Sequence, residues 1–113
     1  MLSKKYRFHS RGGVRYTYKN GKSIRGSRIS LVFAENARGK QRYAVVVSKK
    51  VLKSAVGRNR IRRRVYEVIR LEQPKIQKPV DCIFNIYNRE VATIEFGGLR
   101  NLIRDLLKEA EII

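Results

Sequence analysis

The side chains best suited to do chemistry are the cations between Ser48 and Arg70. This stretch holds nine Lys or Arg residues against a single acid, Glu67. A guanidinium can donate to two phosphate oxygens at once, and the amide of Asn59 can donate and accept at a base edge or a 2′-hydroxyl. A face that is merely solvated normally mixes charge signs, and this one does not. The stretch therefore indicates a polyanion-binding surface.

An apolar repeat within the same stretch predicts how these cations are held. Ile61, Val65, Val68 and Ile69 recur at the spacing that places side chains on one side of a helix. We predict a helix from the N-cap Ser54 to about residue 71, docked by this stripe. Its first turn offers free backbone donors to a phosphate. At about 100° per residue, the opposite face carries Asn59, Arg63, Tyr66 and Arg70, with Arg60, Arg62 and Arg64 on the flanks and Arg58 at the edge of the stripe.

Hydrophobic periodicity predicts the other elements. A short helix is expected over about residues 13–19 and a leucine-rich helix over about 96–110. Residues 22–34 and 43–48 read as strands that form an antiparallel pair, with Ala44 to Val47 covered on both faces. A strand over residues 80–87 follows the basic helix, and strand, helix, strand at this length predicts a parallel crossover. The fold class is α+β, a single sandwich of helices on a mixed sheet of about four strands.

Composition limits the class of protein. The chain has 113 residues, which suits one domain spanning residues 1–113, and 27 basic against 9 acidic residues give a net charge of +18. Such a field attracts nucleic acid or an anionic membrane. No apolar run is long enough to cross a bilayer and no secretory signal is visible, so we expect a cytoplasmic protein. Cys82 is expected to be a buried, reduced thiol, and His9 is the only histidine.

Aromatic rings interleave with the N-terminal cations. Residues 1–28 contain nine basic residues, no acid, and the rings Tyr6, Phe8, Tyr16 and Tyr18. Rings among cations suit a single-stranded nucleic acid, because bases stack on the rings while phosphates meet the charges. The same rings could instead pack this segment onto the sheet, and the sequence leaves both interpretations open.

At this point the chain resembles a known family, the bacterial ribonuclease P protein component. Residues 58–63, RNRIRR, are similar to its RNR box, and residues 47–51, VSKKV, to the segment that precedes the box. Residues 19–26, KNGKSIRG, and 80–84, VDCIF, resemble its early glycine-containing segment and its late strand. The resemblance runs over about residues 7–110, and the order and spacing of these segments make it specific.

The resemblance implies a fold and a function. The family fold has the order α-β-β-β-α-β-α with a left-handed parallel crossover, as in the ribosomal protein S5 domain 2-like fold, although such crossovers are right-handed in about 98% of cases. The implied protein is a subunit that binds a catalytic RNA and the 5′ leader of precursor tRNA, so that the complex removes the leader. In the family the RNA and its magnesium ions do the chemistry. The scattered acids of this sequence agree, and we expect the protein alone to be inactive.

The resemblance also assigns residues. The set facing the catalytic RNA is Lys49, Lys50, Arg58, Asn59, Arg60, Arg62 and Arg63. The leader would lie in a cleft between the first helix and the sheet, beside Tyr18, Val14 and Val32, the two valines standing where the family often has rings. Tyr16 and Phe33 are the candidates to replace those rings. Tyr66 stands where the family usually has a basic residue, which suggests stacking on RNA.

Two other functions fit parts of the sequence. A small basic ribosomal protein is the main alternative, although such proteins commonly carry long unstructured basic extensions, whereas each basic cluster here adjoins an apolar repeat. An independent metal-dependent nuclease is less consistent with the sequence, because its acids are not clustered.

Overall fold

The computed structural model describes residues 2, 4–8 and 11–113, so His9 lies outside the described residues. Three helices and four strands occur in the order α1 (Arg11–Asn20), β1 (Lys22–Arg25), β2 (Ile29–Glu35), β3 (Arg42–Val47), α2 (Ala55–Glu72), β4 (Val80–Ile86) and α3 (Phe96–Glu109). Short 3₁₀ turns span Lys4–Tyr6, Gln73–Lys75 and Arg89–Ala92. This confirms the predicted α+β class and the α-β-β-β-α-β-α order that the resemblance implies, whereas the extended stretch predicted over residues 22–34 is divided into β1 and β2.

The strand order corrects one prediction. The sheet runs β1-β2-β4-β3, so β2 pairs antiparallel with β4 and not with β3. The predicted parallel crossover is confirmed, because β3 and β4 are parallel neighbours and α2 connects them. Its left-handed sense stays a prediction. The physical reason for the order is that Val80 to Phe84 are all buried, whereas Val46 in β3 is 39% exposed. The doubly covered strand is β4, and it takes the central position.

The sheet has a large core on one face and a small one on the other. Helices α2 and α3 pack on the first face, where Tyr43, Phe84 and Ile61 are fully buried. The second face carries α1 and a small cluster of Phe8, Val32, Ala44 and Ile83, with Val14 packed against it. Because α1 and this cluster cover only part of the second face, polar side chains there remain accessible.

The N-terminal segment covers the outer edge of β3 and explains a second correction. The backbone N–H of Phe8 donates to the Tyr43 carbonyl at 2.8 Å, and Leu2 is buried in the large core. Tyr66 is only 9% exposed, with the Arg7 guanidinium 5.5 Å from the centre of its ring. The prediction that Tyr66 faces outward and stacks on RNA was wrong, because this segment covers the flank of α2 on which the ring lies.

Candidate nucleic-acid interface

The first turn of α2 is fixed on the loop that carries the lysines. The Ser54 side chain caps the helix by accepting from the Gly57 N–H at 3.1 Å, as predicted. A Cβ on Gly57 would lie 2.5 Å from Leu52 Cδ2, so glycine permits the loop to pack directly on the helix. Lys49 and Lys50 are exposed in the turn over residues 49–51, which follows β3. Their backbone is therefore held at a set distance from α2.

Arg58 stabilises the same loop from the helix side. Its Nη1 donates to the Leu52 carbonyl at 3.0 Å and to the Lys53 carbonyl at 2.7 Å, and the residue is partly buried. These are the last carbonyls before the N-cap, which would otherwise be left to solvent. Arg58 belongs to the predicted RNA-facing set, and the structure gives it a definite intramolecular role.

Only some of the arginines on α2 are exposed and without an ion-pair partner among the described residues. Asn59, Arg60 and Arg63 are exposed, and Arg62 is partly buried and donates to Asn59 Oδ1 at 2.8 Å. Among the described residues, no carboxylate forms an ion pair with Arg60 or Arg63. Together with Lys49 and Lys50, these two arginines are the free cations of the predicted set. Arg60 and Arg63 point to the same side of the molecule because i and i+3 are neighbours on a helix.

The charged side chains of α2 after Arg63 form hydrogen bonds with other groups of the protein. Arg64 donates to the Val91 carbonyl at 2.6 Å and also to the Ile94 carbonyl, which ties α2 to the turn before α3. Desolvation, with a smaller effect of Arg60, lowers the pKa of Arg64. Glu67 accepts from Arg70 at 2.6 Å, and this hydrogen bond is the main cause that lowers the pKa of Glu67 to about 2. Along α2, the one-signed surface is thus confined to the N-terminal half of the helix and the loop before it.

The five residues predicted to contact the leader do not share one surface. Val32 is buried and Val14 half-buried in the small cluster, while Tyr16 and Tyr18 on α1 are 61% and 45% exposed. Phe33 packs against the large core on the opposite face of the sheet. Phe33 therefore does not replace a ring in a cleft beside α1 and the second face. Tyr16 and Phe33 instead meet at a groove of about 650 Å³ near the outer edge of β1.

Tyr18 is the aromatic ring that stands at the open part of the second face. Its hydroxyl donates to Asn85 Oδ1 at 2.6 Å, which anchors this ring of α1 on the central strand β4. Burial raises the pKa of Tyr18, so the hydroxyl keeps its proton and remains a donor. The ring is therefore both exposed and oriented.

The sequence did not single out the strand residues beside Tyr18. Strand pairing puts one residue from each strand in a row across this face, which we call the open sheet row: Arg25, Ser30, Asn85 and Val46. Next to it, the Arg25 guanidinium lies 4.8 Å from the centre of the Tyr87 ring. The row combines a cation, two polar side chains and an apolar one, a composition that suits a single strand of nucleic acid. Only the register reveals it, because its members come from four different strands.

The described residues hold no group of three or more His, Cys, Asp or Glu side chains placed to bind a metal ion. Cys82 is fully buried, as predicted, and burial raises the pKa of its thiol. Within the described part of the chain, no helix is both long and apolar enough to cross a membrane.

Comparison with known proteins gives consistent matches over nearly the whole chain. The family model described as Ribonuclease P matches residues 2–111. The ribonuclease P protein component of Pelotomaculum thermopropionicum is 36% identical over 94 residues, 83% of this chain and 82% of that relative. That of Roseiflexus castenholzii is 32% identical over 112 residues, 99% of this chain and 91% of the relative.

Solved structures share the fold. The RNase P protein from Thermotoga maritima superposes with a TM-score of 0.81 at 25% identity, covering 91% of this chain and 96% of that one. A mutant RNase P protein of Staphylococcus aureus with defective mRNA degradation activity gives a TM-score of 0.86 at 24% identity, with coverage of 97% and 92%.

Proposed function

Since the chain belongs to the ribonuclease P protein family and is the protein subunit of an endoribonuclease that processes tRNA 5′ ends, we propose that it binds the catalytic RNA through the N-terminal half of α2. The observation that carries this proposal is the one-signed surface of Lys49, Lys50, Arg60 and Arg63. The apolar stripe of α2 and the Arg58 hydrogen bonds hold these cations in fixed relative positions. Fixed cations suit a structured RNA, whose phosphates are also fixed.

The second part of the proposal concerns the 5′ leader of precursor tRNA. We propose that the leader crosses the second face of the sheet, with a base stacked on Tyr18 and its backbone along the open sheet row. Support comes from the exposed and hydrogen-bonded Tyr18 ring and from Arg25, whose cation lies at the end of that row. Stacking on a ring requires unpaired bases, and a leader supplies them.

Cleavage of the precursor requires magnesium ions in the function that the resemblance implies. We propose that magnesium ions are held mainly by the RNA and that the protein alone does not cleave. In support, the described carboxylates are dispersed, and several are already ion-paired: Glu67 with Arg70, Asp81 with Arg42, and Glu72 with three cations. The role of the protein is then to neutralise phosphates and to position the substrate strand.

The test is a double substitution on the free face of α2. Arg60→Ala with Arg63→Ala should weaken binding to the catalytic RNA by roughly tenfold per arginine, the effect of removing a charge-assisted hydrogen bond. Arg58 is avoided because its loss would also loosen the preceding loop. The matched control is Lys22→Ala with Lys108→Ala, which removes the same charge from exposed positions on β1 and α3. Equal affinities of the two double variants would contradict the proposal.

A further inference from the structure

A second cationic feature lies at the other end of α2. A pocket of about 350 Å³ opens where the N-terminal segment, the β2–β3 turn and the segment after α2 meet. We call it the lysine pocket, and its main lining residues are Lys5, Tyr6, Lys40, Gln41, Gln73 and Lys78. The helix has 18 residues, so at about 1.5 Å per residue its two ends are roughly 27 Å apart. The lysine pocket is therefore separate from the cationic surface at the start of α2, and none of its lining residues belongs to the open sheet row.

The floor of the lysine pocket is built from interlocked amides. Gln41 Oε1 accepts from the Tyr43 hydroxyl at 2.8 Å and from Gln73 Nε2 at 3.2 Å, and Gln41 Nε2 donates to the Ile76 carbonyl. Tyr43 and Ile76 are both buried. Gln41 is thus anchored to the core and joins β3 to the turn after α2. A floor held this way keeps its shape when a ligand leaves or enters.

The rim of the pocket carries charge of one sign. Lys5, Lys40 and Lys78 are all exposed, and no acidic residue is among the described residues that line the pocket. Neighbouring Lys75 shows the contrast, because its ammonium lies 3.5 Å from Glu72 Oε2. The described part of the chain forms no ion pair with any of the three rim lysines. The rim is therefore free to bind an anion.

We propose that the lysine pocket is a second RNA contact, which takes one unpaired nucleotide of an RNA strand. Its volume is at the lower end of the range for small-ligand sites, about 300–1,000 Å³. The rim ammonium groups meet the phosphates on either side of the nucleotide, and the Gln73 amide meets a base edge. The proposal rests on the proposed function, since the strand belongs either to the catalytic RNA or to precursor tRNA.

The first experiment measures how binding depends on salt. Lys40→Gln with Lys78→Gln should lower the slope of log affinity against log salt by about one to one and a half, because each phosphate neutralised on a single strand accounts for roughly 0.7 of that slope. Lys22→Gln with Lys108→Gln is the control of equal charge. A smaller slope for catalytic RNA alone assigns the strand to that RNA. A smaller slope only for precursor tRNA binding to the assembled enzyme assigns it to the precursor.

The second experiment places a crosslinker at the pocket. Gln77 is exposed and Cys82 is buried, so Gln77→Cys creates a thiol that can be labelled selectively with an arylazide. We expect an adduct at one RNA segment, and the Lys40→Gln, Lys78→Gln background should reduce its yield. An unchanged salt slope together with no localised adduct would overturn the lysine pocket, even while the Arg60 and Arg63 variants still bind RNA weakly. Full RNA affinity in those arginine variants would instead overturn the proposed function itself.

Discussion

The arginines of α2 have different structural roles although they are close together in the sequence. Arg58 holds the preceding loop, Arg64 fastens the helix to the turn before α3, and Arg60 and Arg63 remain free. Which role a residue takes depends on what lies against its part of the helix surface. The resemblance assigns Arg58, Arg60, Arg62 and Arg63 together to RNA, but it could not separate the internal hydrogen bonds of Arg58 from the free cations beside it.

Tyr18 provides a test at this scale. Tyr18→Leu should reduce the affinity of the assembled enzyme for precursor tRNA with a leader of several nucleotides by about tenfold, because stacking one base on a ring contributes about 1–3 kcal/mol. Tyr18→Phe keeps the ring and loses the hydrogen bond to Asn85, so a smaller loss is expected. The measurement is equilibrium binding. A precursor with a single-nucleotide leader is the control, and an equal loss on both substrates would argue against stacking.

At the scale of elements, the sequence was sufficient wherever the signal was local. The bounds of α2, β4 and α3 lie within one or two residues of those predicted. Helix α2 has the Ser54 cap and is followed by Pro74, β4 follows Pro79, and α3 has a clear apolar period. The pairing of β2 with β3 was wrong because a short turn connects them and favours a hairpin, while the partner of a strand is decided by burial of the whole sheet. The prediction that Tyr66 faces outward was wrong for a similar reason, because the N-terminal segment, which is distant in the sequence, covers its ring.

Helix α2 also carries a titratable pair whose effect depends on pH. The Arg70 hydrogen bond lowers the pKa of Glu67 to about 2 in the folded protein, from 4.5 for the unperturbed group. A lowered folded-state pKa means that the pair stabilises the fold above about pH 4.5 and that this contribution disappears as the pH falls towards 2.

Urea unfolding of the protein and of Glu67→Gln at several pH values checks this expectation. The difference in free energy of unfolding between the two should be constant from pH 7 to about 5 and should shrink to near zero at about pH 2. Because the pair is partly exposed, high salt should also reduce the difference. A difference that is independent of pH would show that Glu67 acts through packing alone.

At the scale of the whole molecule, a few acidic residues form ion pairs between elements of a strongly basic chain. Asp81 accepts two hydrogen bonds from Arg42 at 2.8 Å each, and the Arg42 guanidinium lies 4.1 Å from the centre of the Phe8 ring. Glu72 is fully buried at the end of α2, with Arg104 Nε at 2.8 Å and Arg100 Nη2 at 3.2 Å. These carboxylates stand where elements meet, so they neutralise cations that would otherwise repel one another across the core.

Glu72 should therefore be the acid whose loss costs most. Glu72→Gln leaves two arginines and Lys75 without their counter-charge, and breaking such a buried group typically costs about 3–5 kcal/mol of unfolding free energy. Glu109→Gln on exposed α3 surface is the control and should change stability by about 0.5 kcal/mol or less. Chemical denaturation of both variants measures the difference. A cost for Glu72→Gln no larger than that of the control would mean that water already screens the cluster.

The central position of β4 has a consequence for a chain that is synthesised from its N-terminus. Strands β2 and β3 are synthesised before β4, yet they do not pair with each other, and each pairs with β4, which ends at Ile86. By then the basic helix is already synthesised, so the nascent chain presents unpaired strand edges and a cationic helix at the same time. Unpaired edges favour aggregation, and like charge on the flanking segments opposes it. We therefore expect the excess of positive charge that is proposed to bind RNA also to help keep the incomplete chain soluble.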